Sequence, residues 1–183
     1  LILDILPEIH FQKYMSGNIF PEDNMILWYS GATKSFCFHI FGVYKFDTQS
    51  KILTLVSDTV DLPNGIGLSP DEKTLYVNKM GMLDQNPKVL KINLEDLSSD
   101  VIFDGKELAS KYEGNFDGMA VHSSGNIFTS GPGGLLIISP QGKLLAKINF
   151  GHITNCTFDA KEEFLYVTGF LNNPKVFRLK LKT

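Results

Sequence analysis

One pattern recurs three times in this chain and limits the folds open to it. It runs Asn64-Gly-Ile-Gly-Leu-Ser-Pro-Asp-Glu-Lys-Thr-Leu-Tyr-Val77, then Asp117-Gly-Met-Ala-Val-His-Ser-Ser-Gly-Asn-Ile-Phe-Thr129, then Asn155-Cys-Thr-Phe-Asp-Ala-Lys-Glu-Glu-Phe-Leu-Tyr-Val167. Each copy is a polar residue, a short apolar strand, a polar turn and a second apolar strand. From the polar residue to the aromatic of the second strand is 12, 11 and 11 residues, ending at Tyr76, Phe128 and Tyr166. A β-hairpin repeat with a period of roughly 40–50 residues is the signature of a propeller blade. Equivalent positions of successive blades converge on one channel, so Asn64, Asp117 and Asn155 are a candidate site although far apart in sequence.

The remaining strands follow the same grammar. Val43–Phe46 and Ile52–Val56 flank Asp47-Thr-Gln-Ser50 as a hairpin. Leu135–Ile138 and Leu144–Ile148 flank Ser139-Pro-Gln-Gly142, with Pro second and Gly fourth as type I turns favour. Val89–Leu94 alternates, placing Leu90, Ile92 and Leu94 on one face. Lys106–Tyr112 is the one expected helical turn. Residues 5–30 carry a degraded copy in which Asn18 lies 11 residues before Tyr29. The expectation is all-β, one domain over residues 1–183, with about four blades.

Composition excludes several classes. A net charge of −3 with scattered Lys and Arg argues against nucleic acid or an anionic membrane as partner. No apolar run is long enough to span a bilayer. The opening Leu1-Ile-Leu-Asp-Ile-Leu6 lacks a basic start and a small-residue cleavage site, so no signal peptide is read and a soluble, cytoplasmic setting is the default expectation. Cys37 and Cys156 have no metal-type spacing and read as buried free thiols. His122 follows the first strand of its blade and reads as a strand end; His152 also lies near the repeat motifs.

Asn64-Gly65 and Asp117-Gly118 admit two readings. They are dipeptides that tight turns prefer because they tolerate positive φ. They also precede strands, while the hairpin turns proper fall later, at residues 70–73 and 123–126. Both readings stand at this point.

The motifs Phe41-Gly-Val-Tyr-Lys-Phe46, Leu62-Pro-Asn-Gly65, Phe116-Asp-Gly-Met119, Gly131-Pro-Gly-Gly134, Ser139-Pro-Gln-Gly-Lys143 and Thr154-Asn-Cys156 occur in order. Together they resemble the gluconolactonase / senescence marker protein / luciferin-regenerating enzyme family, from about residue 41 to the C-terminus. The resemblance implies a six-bladed β-propeller of the gluconolactonase type, with one divalent cation in its channel and hydrolysis of sugar lactones there. Six blades at roughly 45 residues need about 270 residues, so something like the first two are expected to be missing here. Carried over, Asn64 and Asp117 match metal ligands. Asn18 matches if Ser16-Gly-Asn-Ile-Phe20 stands for the family's Ser-Pro-Asn-Asp-Leu, with Ile19 in place of its Asp. The family's Glu-Gly-Pro motif is absent, Glu8 is the only nearby carboxylate, and Ser30 replaces an Asp usual at that strand end.

These residues make chemical sense as an oxygen-only site, which suits Ca²⁺ first, with Mg²⁺, Mn²⁺ and Zn²⁺ as the other candidates. Asp117 would be both ligand and general base, Asn64 and Asn18 ligands, and Asn155 a channel residue for substrate hydroxyls. The alternative is a non-catalytic propeller acting as a binding scaffold, which the departures at Glu8, Ile19 and Ser30 favour. A strictosidine-synthase-like or paraoxonase-like propeller fits less well, because Asp117-Gly-Met119 and Thr154-Asn-Cys156 follow the gluconolactonase pattern. Uncovered blade edges would favour self-association.

Overall fold

A computed structural model describes residues 26–35, 38–81, 86–171 and 173–181. The repeat resolves into four antiparallel sheets in which consecutive strands pair. The first holds β1 (Ile26–Ser35), β2 (Phe38–Asp47) and β3 (Leu53–Ser57). The second holds β4 (Pro63–Leu68), β5 (Thr74–Lys79), β6 (Lys88–Asn93) and β7 (Ser99–Asp104). The third holds β8 (Met119–Val121), β9 (Ile127–Gly131), β10 (Gly134–Ile138) and β11 (Leu144–Ile148). The fourth holds β12 (His152–Phe158), β13 (Phe164–Leu171) and β14 (Asn173–Lys180). These are four propeller blades. A single turn of helix, α1 (Lys106–Ala109), joins the second to the third at the segment expected to be helical.

The hairpins close where turn chemistry placed them. Four of them share one geometry, a turn sealed by a bond from the fourth residue's N–H to the first residue's carbonyl. The pairs are Glu72 to Ser69 (2.9 Å), Gly125 to His122 (2.7 Å), Gly142 to Ser139 (2.8 Å) and Glu162 to Asp159 (3.0 Å). In each the fourth residue is left-handed, with φ of 58°, 84°, 83° and 54°.

The first blade departs from expectation. Gly31–Ile40 is expected among the top-face loops of the channel and carries no readable chemistry. In the structure β1 runs on past Ser30 to Ser35 and pairs with β2 down to Ser35 opposite Phe38. Here the partner strand, and not local propensity, imposes the extended state. Ser30 therefore sits inside a strand, opposite Val43, and not at its end. Glu8, Asn18, Ile19 and Cys37 lie outside the described residues.

The core explains why most strands are apolar on both faces. Three clusters fill the three gaps between neighbouring sheets. Val43, Ile66, Leu75, Val77 and Ile92 lie between the first and second. Tyr76, Val89, Phe116, Ile127 and Leu136 lie between the second and third. Phe128, Leu135, Ile153, Leu165 and Val167 lie between the third and fourth. Leu90 and Ile92 do share a face, as expected, but Val89 is equally buried on the other, because each inner sheet is covered twice. The fourth sheet's far face is open. Tyr166 holds the position of Tyr76 and Phe128 yet is only half-buried, and Phe170 and Val176 beside it are exposed.

Cys156 is buried in the third cluster, its thiol donating to the Phe128 carbonyl at 3.3 Å. Burial pushes its pKa up to about 12, so the reactive thiolate is all but absent at neutral pH. In a Cys37→Ser variant, a thiol reagent such as Ellman's should therefore react only after denaturant unfolds the chain. Rapid labelling of the native state would contradict this packing.

Candidate functional site

The inner strands β4, β8 and β12 begin side by side, and main-chain bonds between blades hold their starts together. Gly65 N–H donates to the Asp117 carbonyl at 2.7 Å, and Gly118 N–H to the Thr154 carbonyl at 2.8 Å. Neither glycine has positive φ. A Cβ on Gly65 would instead collide with the Asp117 carbonyl, and one on Gly118 with the Asn155 side chain. Glycine stands at both places because two backbones meet there. The tight-turn reading of Asn64-Gly65 and Asp117-Gly118 is thereby overturned: both dipeptides open inner strands, and the turns come later.

The three candidates present in the description are thus brought together from blades two, three and four. Asn64 is buried, with Nδ2 2.9 Å from Met80 Sδ, which leaves Oδ1 on the other side of the amide. Asp117 donates its N–H to Ser130 Oγ at 2.7 Å, and its Oδ1 is shielded from solvent. Asn155 lies against Gly118, and its Oδ1 accepts the N–H of Cys156 at 2.8 Å. That bond uses one of the oxygen's two lone pairs, and Nδ2 is the donor Asn155 has for a ligand hydroxyl. This suits contact with hydroxyls better than ligation.

Around these residues lies a polar layer that sequence reasoning missed. Asn78 is fully buried on β5, and its Nδ2 donates to the Asp117 carbonyl and to Thr129 Oγ1, both at 2.8 Å. The buried Thr129 and Ser130 hydroxyls reach the Ser130 and Gly118 carbonyls at 2.9 and 3.3 Å. The available signal was a polar residue interrupting an apolar strand, as Asn78 follows Leu75-Tyr-Val77 and Thr129-Ser130 follow Ile127-Phe128. His122 lies at the far end of β8, 2.9 Å from Ser124 Oγ and 3.4 Å from Glu162, as a strand-end residue. His152 is exposed and packs edge-on to Phe170.

A cleft of about 470 Å³ is lined by Gly81, Pro87 and residues 109–115; Asn64, Asp117 and Asn155 do not line it. Gly81 N–H donates to Asn115 Oδ1 at 2.8 Å.

No group of three His, Cys, Asp or Glu side chains comes together among the described residues. The neighbouring strand starts carry an amide oxygen at Asn64 and a carboxylate oxygen at Asp117, each shielded from solvent. Hard oxygens of this kind suit Ca²⁺, Mg²⁺ or Mn²⁺, with water completing the shell. The residues present fit such an ion.

Four antiparallel blades of this build define part of a β-propeller. Residues 28–170 match the model described as SMP-30/Gluconolactonase/LRE-like region, and the chain belongs to that family. It is 32% identical over 149 residues to a gluconolactonase of Zymomonas mobilis, with 78% of this chain and 41% of that protein covered. Among solved structures, a gluconolactonase from Xanthomonas campestris superposes with a TM-score of 0.71 at 24% identity, covering 86% of this chain and 54% of that one. A calcium-binding regucalcin from Agrobacterium tumefaciens superposes with a TM-score of 0.59 at 19% identity, covering 78% and 49%. The chain thus spans about half the length of these relatives or less. No helix among the described residues is long and apolar enough to cross a membrane.

Proposed function

We propose that this chain supplies the cation-binding end of a lactone hydrolase. The observation that carries the reading is the approach of the segments bearing Asn64, Asp117 and Asn155 at the starts of three adjacent inner strands. Gluconolactonase activity in the related Zymomonas protein and calcium binding by the Agrobacterium structure support it. Asn64 and Asp117 are the ligands assigned here, and Asn18 is the further ligand implied by family resemblance. Such a cation, Ca²⁺ first among the candidates, would polarise the lactone carbonyl and favour the oxyanion. Asp117 takes the proton from the attacking water, and Asn155 donates Nδ2 to a ring hydroxyl of the sugar lactone. The acyl C–O bond then breaks and Asp117 returns the proton to the leaving ring oxygen, which gives the free hydroxy acid.

The test is thermal melting with Ca²⁺, Mg²⁺, Mn²⁺ or Zn²⁺ added, on the native chain and on Asp117→Ala, followed by aldonolactone hydrolysis. A cation at 100 times its Kd stabilises by about 2.7 kcal/mol, and that shift should vanish in the variant. A folded native chain indifferent to all four ions would mean that it holds the shell of a lactonase without its working site, which overturns the proposal for this chain.

A further inference from the structure

We propose that Asn78 is a positioning residue for Asp117, acting through the Asp117 peptide and not by touching substrate. This rests on the reading of Asn64 and Asp117 as cation ligands. Asn78 stands fully buried in mid-strand between Val77 and Lys79. Its Nδ2 bridges two blades, donating to the Asp117 carbonyl and to Thr129 Oγ1. A backbone carbonyl can only accept, so the amide nitrogen must face it. Its Oδ1 is buried and has no hydrogen-bond partner among the described residues. A buried amide oxygen in that state is unfavourable, and an apolar side chain of similar shape would avoid the penalty. Packing alone therefore does not account for asparagine here, whereas its donor end does.

That donor completes a clamp. The Asp117 carbonyl receives Asn78 Nδ2 and Gly65 N–H, while the Asp117 N–H is taken by Ser130 Oγ. Both peptide groups flanking the Asp117 Cα are thereby held, which fixes the direction in which the carboxylate leaves the backbone. Gly65 and Asn78 sit so close that a Cβ on Gly65 would lie 2.7 Å from Nδ2. The same amide thus sets Asp117 against the strand that carries Asn64. Outer contacts that aim a ligand commonly change metal affinity or activity by about 10–100-fold when removed.

Asn78→Leu keeps the shape and removes the donor. The experiment measures Kd by melting-shift titration with Ca²⁺ alone, and with Mn²⁺ if that ion stabilises the native chain more. It also measures kcat and KM for an aldonolactone. The control is Leu75→Ala, on the same strand and fully buried in the first core cluster, which destabilises the sheet without losing a contact to Asp117. The expected result is a Kd at least about tenfold weaker and a lower kcat in Asn78→Leu, with Kd in Leu75→Ala within about twofold of native. Should Asn78→Leu fail to fold, Thr129→Val removes one anchor of the amide and should weaken Kd in the same direction. Native-like Kd in the folded Asn78→Leu chain, or in Thr129→Val where Asn78→Leu does not fold, overturns this inference alone. A native chain that binds no cation overturns it together with the cation site.

Discussion

Replacing Gly65 with alanine should destabilise the chain by about 3 kcal/mol or more, near the upper end of single-residue effects. The cause is not conformational, because Gly65 lacks positive φ and alanine would lower the entropy lost on folding. The added methyl falls on the Asp117 carbonyl, 2.7 Å from Asn78 Nδ2 and 3.0 Å from the Gly118 carbonyl carbon. The Asp117 and Gly118 atoms are backbone, and the Asn78 amide is pinned by two hydrogen bonds, so β4 and β8 must separate. Separation breaks the Gly65–Asp117 bond and exposes the gap between two blades. Gly125→Ala is the natural comparison. It has φ of 84° but meets only Pro140 Cγ, at 3.0 Å, so it should lose about 1 kcal/mol, the usual penalty for a left-handed alanine. Urea unfolding of both variants checks the pair. Equal losses would mean that the inner strands do not approach as closely as described.

This contrast also shows where sequence reading reached and where it stopped. The hairpin turns were legible because their chemistry is local: Ser69-Pro-Asp-Glu72 and Ser139-Pro-Gln-Gly142 hold their turn signals within four residues. The blade repeat was legible for the same reason, and it placed Asn64, Asp117 and Asn155 at equivalent points. What it could not decide was why glycine follows two of them. A turn and a close approach use the same dipeptides, and the deciding contacts come from Asp117 for Gly65 and from Asn155 for Gly118, both far away in the chain. Asn78 escaped notice on similar grounds, since its two acceptors are 39 and 51 residues distant. The length of β1 was hidden because residues 31–35 owe their extended state to β2. Alternation failed as a guide to the inner strands once sheets covered both faces, as at Val89 and Leu90.

Phe116→Ala should be comparably damaging, at about 3–5 kcal/mol, the range for emptying a fully buried aromatic site. The ring lies between the second and third blades, edge-on to Phe103 with centroids 6.1 Å apart. Two glycines leave room for it: a Cβ on Gly105 would come within 2.7 Å of its edge, and one on Gly131 within 3.0 Å. That slot is rigid backbone on both sides and cannot collapse onto a methyl group, which places the loss high in the range. Phe116 directly precedes Asp117, so the same ring anchors the strand entry that carries the carboxylate. Phe116→Leu keeps most of the volume and should lose only about 1–1.5 kcal/mol, with the cation-induced melting shift retained. In Phe116→Ala that shift should shrink even where the chain still folds, because residues 115–118 are no longer seated between the sheets. Denaturant unfolding and cation melts on the two variants separate the effects. A full-sized shift in folded Phe116→Ala would show that the Asn78, Gly65 and Ser130 bonds hold Asp117 without help from the core beneath it.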